Sequence, residues 1–313
     1  MDDIALLSEL EPVAEQLLER HISTTKMWYP HTMVPWSRGE DFEPDYEWDP
    51  NDAEIPPAIR AALYVNLLTE DNLPYYFRDI DRMYGHGGGA WGEWTKRWTA
   101  EEGRHAMVIR DYLHVTRAID PKWLEDGRMA QMSTGQVPEP PTAAHGFTYV
   151  TLQELATRIS HRNTGKMITD KAGYEIMAKV ATDENFHFLF YRDITSAAFE
   201  VAPSMVMKAL ADEVIGFAMP GTGIPGFAEH SKMIAKTGIY DLVNHHEQIL
   251  LPVVMRHWAI ESMEGLDAEA EQAREKLVNY IAKSGRVAAR LADKRAAEDA
   301  EAAEKGAPLS VGS

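Results

Sequence analysis

The sequence predicts an all-α protein, and three observations support this prediction. Apolar residues recur mostly at helical spacing, while the alternation typical of strands is almost absent. The 313-residue chain is rich in Ala, Leu, Glu and Arg, and 45% of its residues are apolar, enough for a sizeable core. Two Glu-x-x-His motifs each follow another glutamate by about thirty residues. These features predict one helical domain over residues 1–303 and a disordered tail at 304–313.

The first part of the chain is expected to contain three helices separated by irregular segments. The first helix is amphipathic, and a Pro- and Trp-rich stretch follows it up to about residue 57. The second helix contains Pro74, which predicts a kink or local break because proline lacks a backbone N–H. A turn at Gly85–Gly89 precedes the third helix. The expected helical ranges are 3–22, 57–83 and 90–118.

The second part of the chain begins with a connector over about residues 119–144, which separates the first pair of long helices from the second. Such a long crossover is typical of one class of helical bundle. The last helix is rich in Ala, Glu, Lys and Arg and fades into the polar tail. The expected helical ranges are 147–163, 172–201, 203–218, 226–260 and 265–303.

Six residues recur in an order that suits a metal centre inside a four-helix bundle. A single glutamate is followed by Glu-x-x-His, and this arrangement occurs twice, with gaps of 32 and 30 residues. Residues i and i+3 share a helix face, so each Glu-x-x-His aims a carboxylate and an imidazole at one point. Half of either gap is about 16 residues, or roughly 24 Å of helix. The chain can therefore run along one helix from the first glutamate, turn, and run back along the next helix, so that the Glu-x-x-His lies at the level of that glutamate. The predicted ligands of two iron ions are Glu70, Glu102, His105, Glu154, Glu184 and His187, with Glu102 and Glu184 as bridges.

Composition excludes several other kinds of protein. The formal charge of −18 argues against nucleic-acid binding, which requires a basic face. The chain has no cysteine, so it can form no disulfide and hold no Cys-ligated iron–sulfur cluster, and redox chemistry would need electrons from a separate carrier. No apolar run approaches the roughly 20 residues that span a bilayer. The N-terminus lacks the pattern of a signal or transit peptide, so we expect a cytoplasmic protein.

Residues beside the predicted ligands are candidates for supporting roles. Thr157 and His161 fall on the helix face of Glu154, and the Thr157 hydroxyl either reaches metal-bound oxygen or bonds back to a helix carbonyl. Metal-bound histidines usually donate their free N–H to a carboxylate. Asp183 and Glu101 each precede a motif glutamate and are candidates for this role on the opposite helix. Asp183 is the better candidate, because Glu101 could be merely solvated.

Four segments closely resemble the soluble acyl-acyl carrier protein desaturases, and their amino-acid sequences look most like those of the actinobacterial branch. The resemblance covers roughly residues 5–260. It implies a ferritin-like four-helix bundle with additional flanking helices, a homodimer, two iron ions at the six positions above and ferredoxin as the electron donor. It also implies that Trp28 and Asp183 lie on the path that brings electrons to the centre through His105. The segments are Thr69–Pro74, Arg97–His105, Gln153–Thr164 and Asp183–His187.

The resemblance implies O2-dependent removal of two hydrogens from neighbouring methylenes of a fatty acyl chain carried by acyl carrier protein. A bent apolar channel past the centre would select the carbons attacked, since geometry governs such selectivity. Phe147, Val150 and Thr151 are candidate channel residues, although each could equally be ordinary bundle core. An alternative is a related desaturase or oxygenase that acts on a carrier-bound intermediate of specialised metabolism.

Two other classes of di-iron protein fit the sequence less well. The radical-generating subunit of ribonucleotide reductase keeps a tyrosine one turn after the first Glu-x-x-His, where this chain has Ile109. Storage ferritins are much shorter and carry a less complete ligand set.

An acidic carrier protein would need a basic patch to dock on this acidic chain. Two patches are predicted with equal weight, one of Arg158, Arg162 and Lys166 and one of Lys232 and Lys236.

Overall fold

The computed structural model describes residues 1–304 except 52, 136, 138, 220 and 222, and this part of the chain contains helices and no strand. The predicted all-α class is therefore confirmed. The expected tail lies outside the described residues apart from residue 304. The long helices occupy the ranges predicted for them to within a few residues at most ends.

Four long helices form the bundle. The third and fourth of them pack most closely, and the first packs on both the second and the third. Side-chain caps begin two of these helices, because Thr142 accepts from the backbone N–H of His145 and Asp170 accepts from that of Gly173. The bundle helices are α2 (Pro57–Asp71), α4 (Gly89–Val115), α6 (Ala143–Met167) and α7 (Lys171–Val201).

The break predicted near Pro74 is present. Helix α2 ends at Asp71, and α3 (Leu73–Ile80) begins at once with Pro74 in its first turn, where a missing N–H costs nothing. The intervening Asn72 donates its amide N–H to the carbonyl of Gly135 at 2.7 Å. A π-helical turn at Asp81–Gly85 then leads towards α4. The first hairpin therefore consists of α2 and α4, joined by the short helix α3 and a π-helical turn.

One connecting region contains a helix that the sequence did not indicate, and the expectation of one continuous helix over 226–260 was wrong. The connector contains a 14-residue helix, α5 (Pro121–Thr134), which begins with Pro at its first position and is capped by Asp120. The helix expected over 226–260 is divided into α9 (Phe227–Lys236), α10 (Leu242–His245) and a π-helical segment at His246–His257. Gly238, with φ of 75°, turns the chain after α9 in a conformation that other residues rarely adopt.

Three longer helices flank the bundle. Helix α1 (Asp3–Thr24) packs on α4 and α7, and α8 (Pro203–Gly216) packs on α6, α7 and α11 (Ala268–Glu304). Most of the buried apolar side chains form two clusters, one along α1, α6, α7 and α8 and one along α2, α4 and α7. The bundle helices also bury an unusual number of carboxylates and imidazoles, which marks the interior of the bundle as a functional site.

Candidate metal centre

The structure brings all six predicted ligands together inside the bundle. Their side chains are buried, and their donor atoms form two groups of four in which all donor atoms lie within 4.8 Å of one another. One group contains Glu70 and His105, and the other contains Glu154 and His187. Glu102 and Glu184 belong to both groups. This is the arrangement that two metal ions bridged by two carboxylates require.

The helices determine this geometry. Helices α4 and α7 each supply a Glu and a His from one face, while α2 and α6 supply one Glu each. Nδ1 of His105 lies 3.2 Å from Oε2 of Glu102 and 3.5 Å from Oε1 of Glu184. Nδ1 of His187 lies 2.7 Å from Oε1 of Glu102 and 3.6 Å from Oε2 of Glu154. Both imidazoles therefore present the same nitrogen to the shared carboxylates.

The donor atoms fit a pair of divalent metal ions. Oε1 of Glu102, Oε2 of Glu154 and both Nδ1 atoms are buried without a hydrogen-bond partner, which is costly for polar atoms unless a ligand satisfies them. Burial raises the pKa of Glu154 well above its ordinary value, and the charges of Glu184 and Glu102 raise it further. Two divalent cations would balance the four carboxylates and remove this repulsion. Mixed carboxylate and imidazole donors suit iron.

One carboxylate outside the ligand set connects the centre to Trp28. Asp183 accepts a hydrogen bond from the indole N–H of Trp28 at 2.7 Å, and Nε2 of His105 lies 3.5 Å from the same oxygen. Lys179 and Arg104 also donate to Asp183, at 2.9 and 3.2 Å. Burial would raise the pKa of Asp183, but its contacts with His105, Trp28 and Lys179 outweigh burial and lower it. Asp183 therefore lies between Trp28 and His105, and transfer of electrons along these three residues stays a prediction.

Glu101 is not a solvated residue, so the weighting of the sequence prediction was wrong on this point. Its side chain is buried, and its Oε2 accepts from Nε2 of His187 at 3.0 Å. This contact is shorter than that between Asp183 and His105. Two further partners, Arg97 and His21, lie 2.5 and 2.8 Å from Glu101. Each histidine of the predicted ligand set thus lies within 3.5 Å of a carboxylate on the opposite long helix.

His161 and Trp98 touch the predicted ligands more closely than the sequence indicated, whereas Thr157 makes the bond to a helix carbonyl that was one of its two expected contacts. Nε2 of His161 lies 2.8 Å from Oε1 of Glu70, although its helical position suggested only that it shares a face with Glu154. The Thr157 hydroxyl donates to the carbonyls of Glu154 and Gln153, at 3.0 and 3.2 Å. The indole N–H of Trp98 donates to Oε1 of Glu154 at 3.0 Å. The contact of Trp98 was missed, because its spacing from Glu102 on α4 carries no recognisable signal.

A cavity of about 140 Å³ adjoins the centre at Glu70 and Thr157. Helices α2, α6 and α9 wall it, and several hydroxyl and amide groups line it. The sequence did not indicate these lining residues, because they come from helices distant in the chain. They include Asn66, Ser160, Ser231 and Tyr240.

The three predicted channel residues lie elsewhere. Phe147 packs between the rings of Tyr84 and Trp91, with centroids 5.3 and 5.4 Å away. The Thr151 hydroxyl donates to the carbonyl of Phe147 at 2.7 Å, and Val150 belongs to the same core cluster. None of the three lines the cavity beside Glu70, and a channel that extends past them stays a prediction.

The two basic patches differ in their surroundings. On α6, burial and the nearby charge of Arg162 lower the pKa of Arg158, and Arg162 donates to the hydroxyl of Tyr174 at 3.1 Å. Lys232 and Lys236 are exposed on α9, which like α6 is one of the helices that wall the cavity. Among the described residues, neither of these two lysines forms an ion pair.

The fold and the donor set define a ferritin-like carboxylate protein with room for two metal ions. The comparison with protein families is more specific. The model of the fatty acid desaturase family matches residues 2–306, and the chain belongs to this family.

Relatives support this assignment over most of the chain. DesA1 of Mycobacterium tuberculosis, provisionally named an acyl-(acyl-carrier-protein) desaturase, is 42% identical over 90% of this chain and 86% of its own length. A chloroplastic stearoyl-(acyl-carrier-protein) 9-desaturase of Simmondsia chinensis is 28% identical over 87% of this chain and 73% of its own. The X-ray structure of DesA2 of Mycobacterium tuberculosis, a protein with the same provisional name of acyl-(acyl-carrier-protein) desaturase, matches with a TM-score of 0.70 at 26% identity. That match covers 86% of this chain and 99% of the other.

Among the described residues, no helix is both long and apolar enough to cross a lipid bilayer.

Proposed function

We propose that this protein is a di-iron desaturase that introduces a double bond into a fatty acyl chain bound to acyl carrier protein. The observation that carries the proposal is the pair of buried donor groups that share Glu102 and Glu184. A mononuclear site would not need six convergent ligands, and the family assignment gives the reaction class. When bound, the two iron ions would supply O2 activation, with O2 as the co-substrate.

The protein's own residues would hold the metal ions and would supply the centre with electrons and a proton. The six ligands fix the ions, and Trp98 and His161 orient the terminal carboxylates of Glu154 and Glu70. Trp28 and Asp183 would pass electrons to His105 from ferredoxin, since a chain without cysteine holds no iron–sulfur cluster of its own. Thr157, on the cavity wall, would hold a proton near the reacting atoms when its hydroxyl turns away from the helix carbonyls.

The cavity beside Glu70 is the part of the structure best placed to receive an acyl chain next to the centre. Its wall helix α9 carries Lys232 and Lys236 on the exposed side, so an acidic carrier docked there would stand at the cavity. Helix α6 also walls the cavity, but Arg158 and Arg162 are partly buried whereas Lys232 and Lys236 are exposed, and this exposure favours the α9 patch over the α6 patch. The proposal also includes the single domain, the homodimer and the cytoplasmic location expected from the sequence. Light scattering should give twice the mass of one chain.

The direct test is mass spectrometry of the acyl group after incubation of stearoyl or palmitoyl carrier protein with the iron-loaded protein, reductant and air. Loss of 2 Da supports desaturation. Gain of 16 Da would support the alternative, an oxygenase of the same family, and no mass change with several acyl lengths would contradict both. Protein loaded with Zn²⁺ in place of iron is the matched control, because Zn²⁺ has no redox chemistry.

A further inference from the structure

Helix α1 lies outside the four-helix bundle, yet it delivers one side chain to the metal centre. His21 is 4% exposed, and its Nε2 lies 2.8 Å from Oε2 of Glu101. The same oxygen lies 3.0 Å from Nε2 of His187. The rings of His21 and His187 are stacked, with centroids 5.8 Å apart and planes at 22°. One carboxylate oxygen therefore joins a flanking helix to a histidine of the centre.

The geometry around Glu101 is that of a fixed anchor. Its other oxygen, Oε1, accepts from Nε of Arg97 at 2.5 Å, so both carboxylate oxygens are held. Trp94 packs edge-on against His21, with centroids 5.1 Å apart, and restrains the imidazole from another side. A third metal ion among His21, Glu101 and His187 is disfavoured, because the Arg97 guanidinium occupies one carboxylate oxygen. The group is suited to orient the His187 ring.

Each of the two histidines of the centre is held by a chain of contacts, here called an arm. The two arms have the same arrangement but end in different side chains. In each arm, a ring N–H from a segment outside the bundle binds a carboxylate, which contacts the metal histidine of the opposite helix. The ring belongs to Trp28 on the His105 side and to His21 on the His187 side. An indole loses one electron far more readily than an imidazole does. The arm of His21 can therefore hold its metal histidine without offering a route for electrons.

We propose that His21 is a positioning residue that, through Glu101, sets the metal affinity of the donor group containing His187. The inference rests on the proposed di-metal function. It states that loss of the His21 N–H weakens metal binding by the group containing His187 and leaves metal binding by the group containing His105 unchanged. It also states that electron entry does not depend on His21. Outer partners of metal-bound histidines typically change metal affinity 10- to 100-fold.

The test is a Co²⁺ titration followed by absorbance, in backgrounds that each retain one donor group. In a His105→Ala background, which keeps the His187 group, His21→Phe should weaken Co²⁺ binding about 10- to 100-fold. In a His187→Ala background, the same substitution should change binding less than about twofold. Phe preserves the ring and its stacking but removes the N–H. His21→Gln retains an N–H donor and should recover most of the affinity, and circular dichroism should show unchanged helix content.

A matched control and a kinetic measurement complete the test. Trp28→Phe removes the N–H of the other arm, so it should weaken Co²⁺ binding in the His187→Ala background and not in the His105→Ala background. With iron, Trp28→Phe should slow reduction of the ferric centre by ferredoxin, and His21→Phe should not. Equal effects of His21→Phe in both backgrounds, or none in either, would overturn the inference. If the unmodified protein binds no Co²⁺, the proposed function fails and the inference fails with it.

Discussion

The indole N–H of Trp98 donates to Oε1 of Glu154 at 3.0 Å, across two helices of the bundle. Trp98 is itself buried on α4, one turn before the Glu-x-x-His of that helix. A single hydrogen bond thus orients one of the two carboxylates that are not shared between the donor groups. The rigidity of this carboxylate depends on a residue that supplies no donor to the metals.

The first prediction follows from this contact. Trp98→Phe should reduce iron affinity or turnover about 10- to 100-fold, because Glu154 loses a hydrogen-bond donor from another helix that orients its carboxylate. Iron content and initial rate should be measured together. Trp123→Phe, a change of the same type at a partly exposed indole on α5, is the matched control and should leave both values unchanged. Full activity of Trp98→Phe would show that Glu154 needs no such support.

The second prediction concerns the two histidines. His105→Ala and His187→Ala should each abolish turnover and keep the helical content, because the apolar clusters supply most of the stability of a domain of this size. Circular dichroism, iron analysis and the acyl mass assay check this. His86→Ala, at an exposed histidine before α4, should behave like the unmodified protein. An active variant with unchanged iron content would remove that histidine from the ligand set.

The third prediction is a pH dependence of the metal-free protein. Burial lowers the pKa of His161, but its contacts with Glu184 and Glu70 outweigh burial and raise the pKa to about 9. The unfolded value is about 6.5, so the folded state binds the proton more tightly. This contribution to stability is fully present below about pH 6.5 and is lost as the pH rises through about 9, by at most about 3 kcal/mol.

Urea unfolding of the metal-free protein and of His161→Gln between pH 6 and 10 checks this prediction. The difference in unfolding free energy between the two proteins should shrink as the pH rises. A constant difference would contradict the raised pKa. Zn²⁺ should flatten the dependence, because a cation bound by Glu70 and Glu184 offsets the negative charge that holds the proton on His161.

The fourth prediction tests carrier docking. Raising the ionic strength from about 0.01 to 0.15 M shortens the Debye length from roughly 30 to 8 Å and should raise the KM for the acyl carrier protein. Charge reversal of Lys232 and Lys236 to Glu should raise the KM and remove much of this salt dependence. Reversal of Arg162 and Lys166 tests the α6 patch. Reversal of Lys276 and Lys283 on α11, away from the cavity, is the control. Unchanged kinetics in all three variants would place docking elsewhere.

The six central residues could be predicted because their signal is local and repeated. Each Glu-x-x-His lies within one turn, and the nearly equal gaps to Glu70 and Glu154 set the level of the site along the helices. The break at Pro74 follows from the missing backbone N–H of proline, which is a property of one residue. These features depend on chain geometry and not on tertiary packing.

Other features required the folded structure. His21 and Trp98 contact residues 80 and 56 positions away, and nothing in their own segments indicates those partners. Glu101 looked like a surface residue, because a glutamate before a motif glutamate is usually solvated. The division of the predicted 226–260 helix depends on Gly238 and on a π-helical segment, neither of which interrupts the apolar periodicity. Tertiary packing decided each of these cases.

The size of the cavity beside Glu70 bears on how quickly a substrate can bind. A cavity of about 140 Å³ is smaller than the roughly 300–1,000 Å³ of pockets that bury a drug-sized ligand, and a long fatty acyl chain needs at least as much room. Entry of such a chain requires a wall to retreat, and α9 is a ten-residue wall helix with one buried side chain, between Gly226 and Gly238 in left-handed conformations. Association should therefore be slower than the 10⁵–10⁷ M⁻¹s⁻¹ usual for preformed surfaces and should level off at high carrier concentration, since the rearrangement and not the encounter sets its rate.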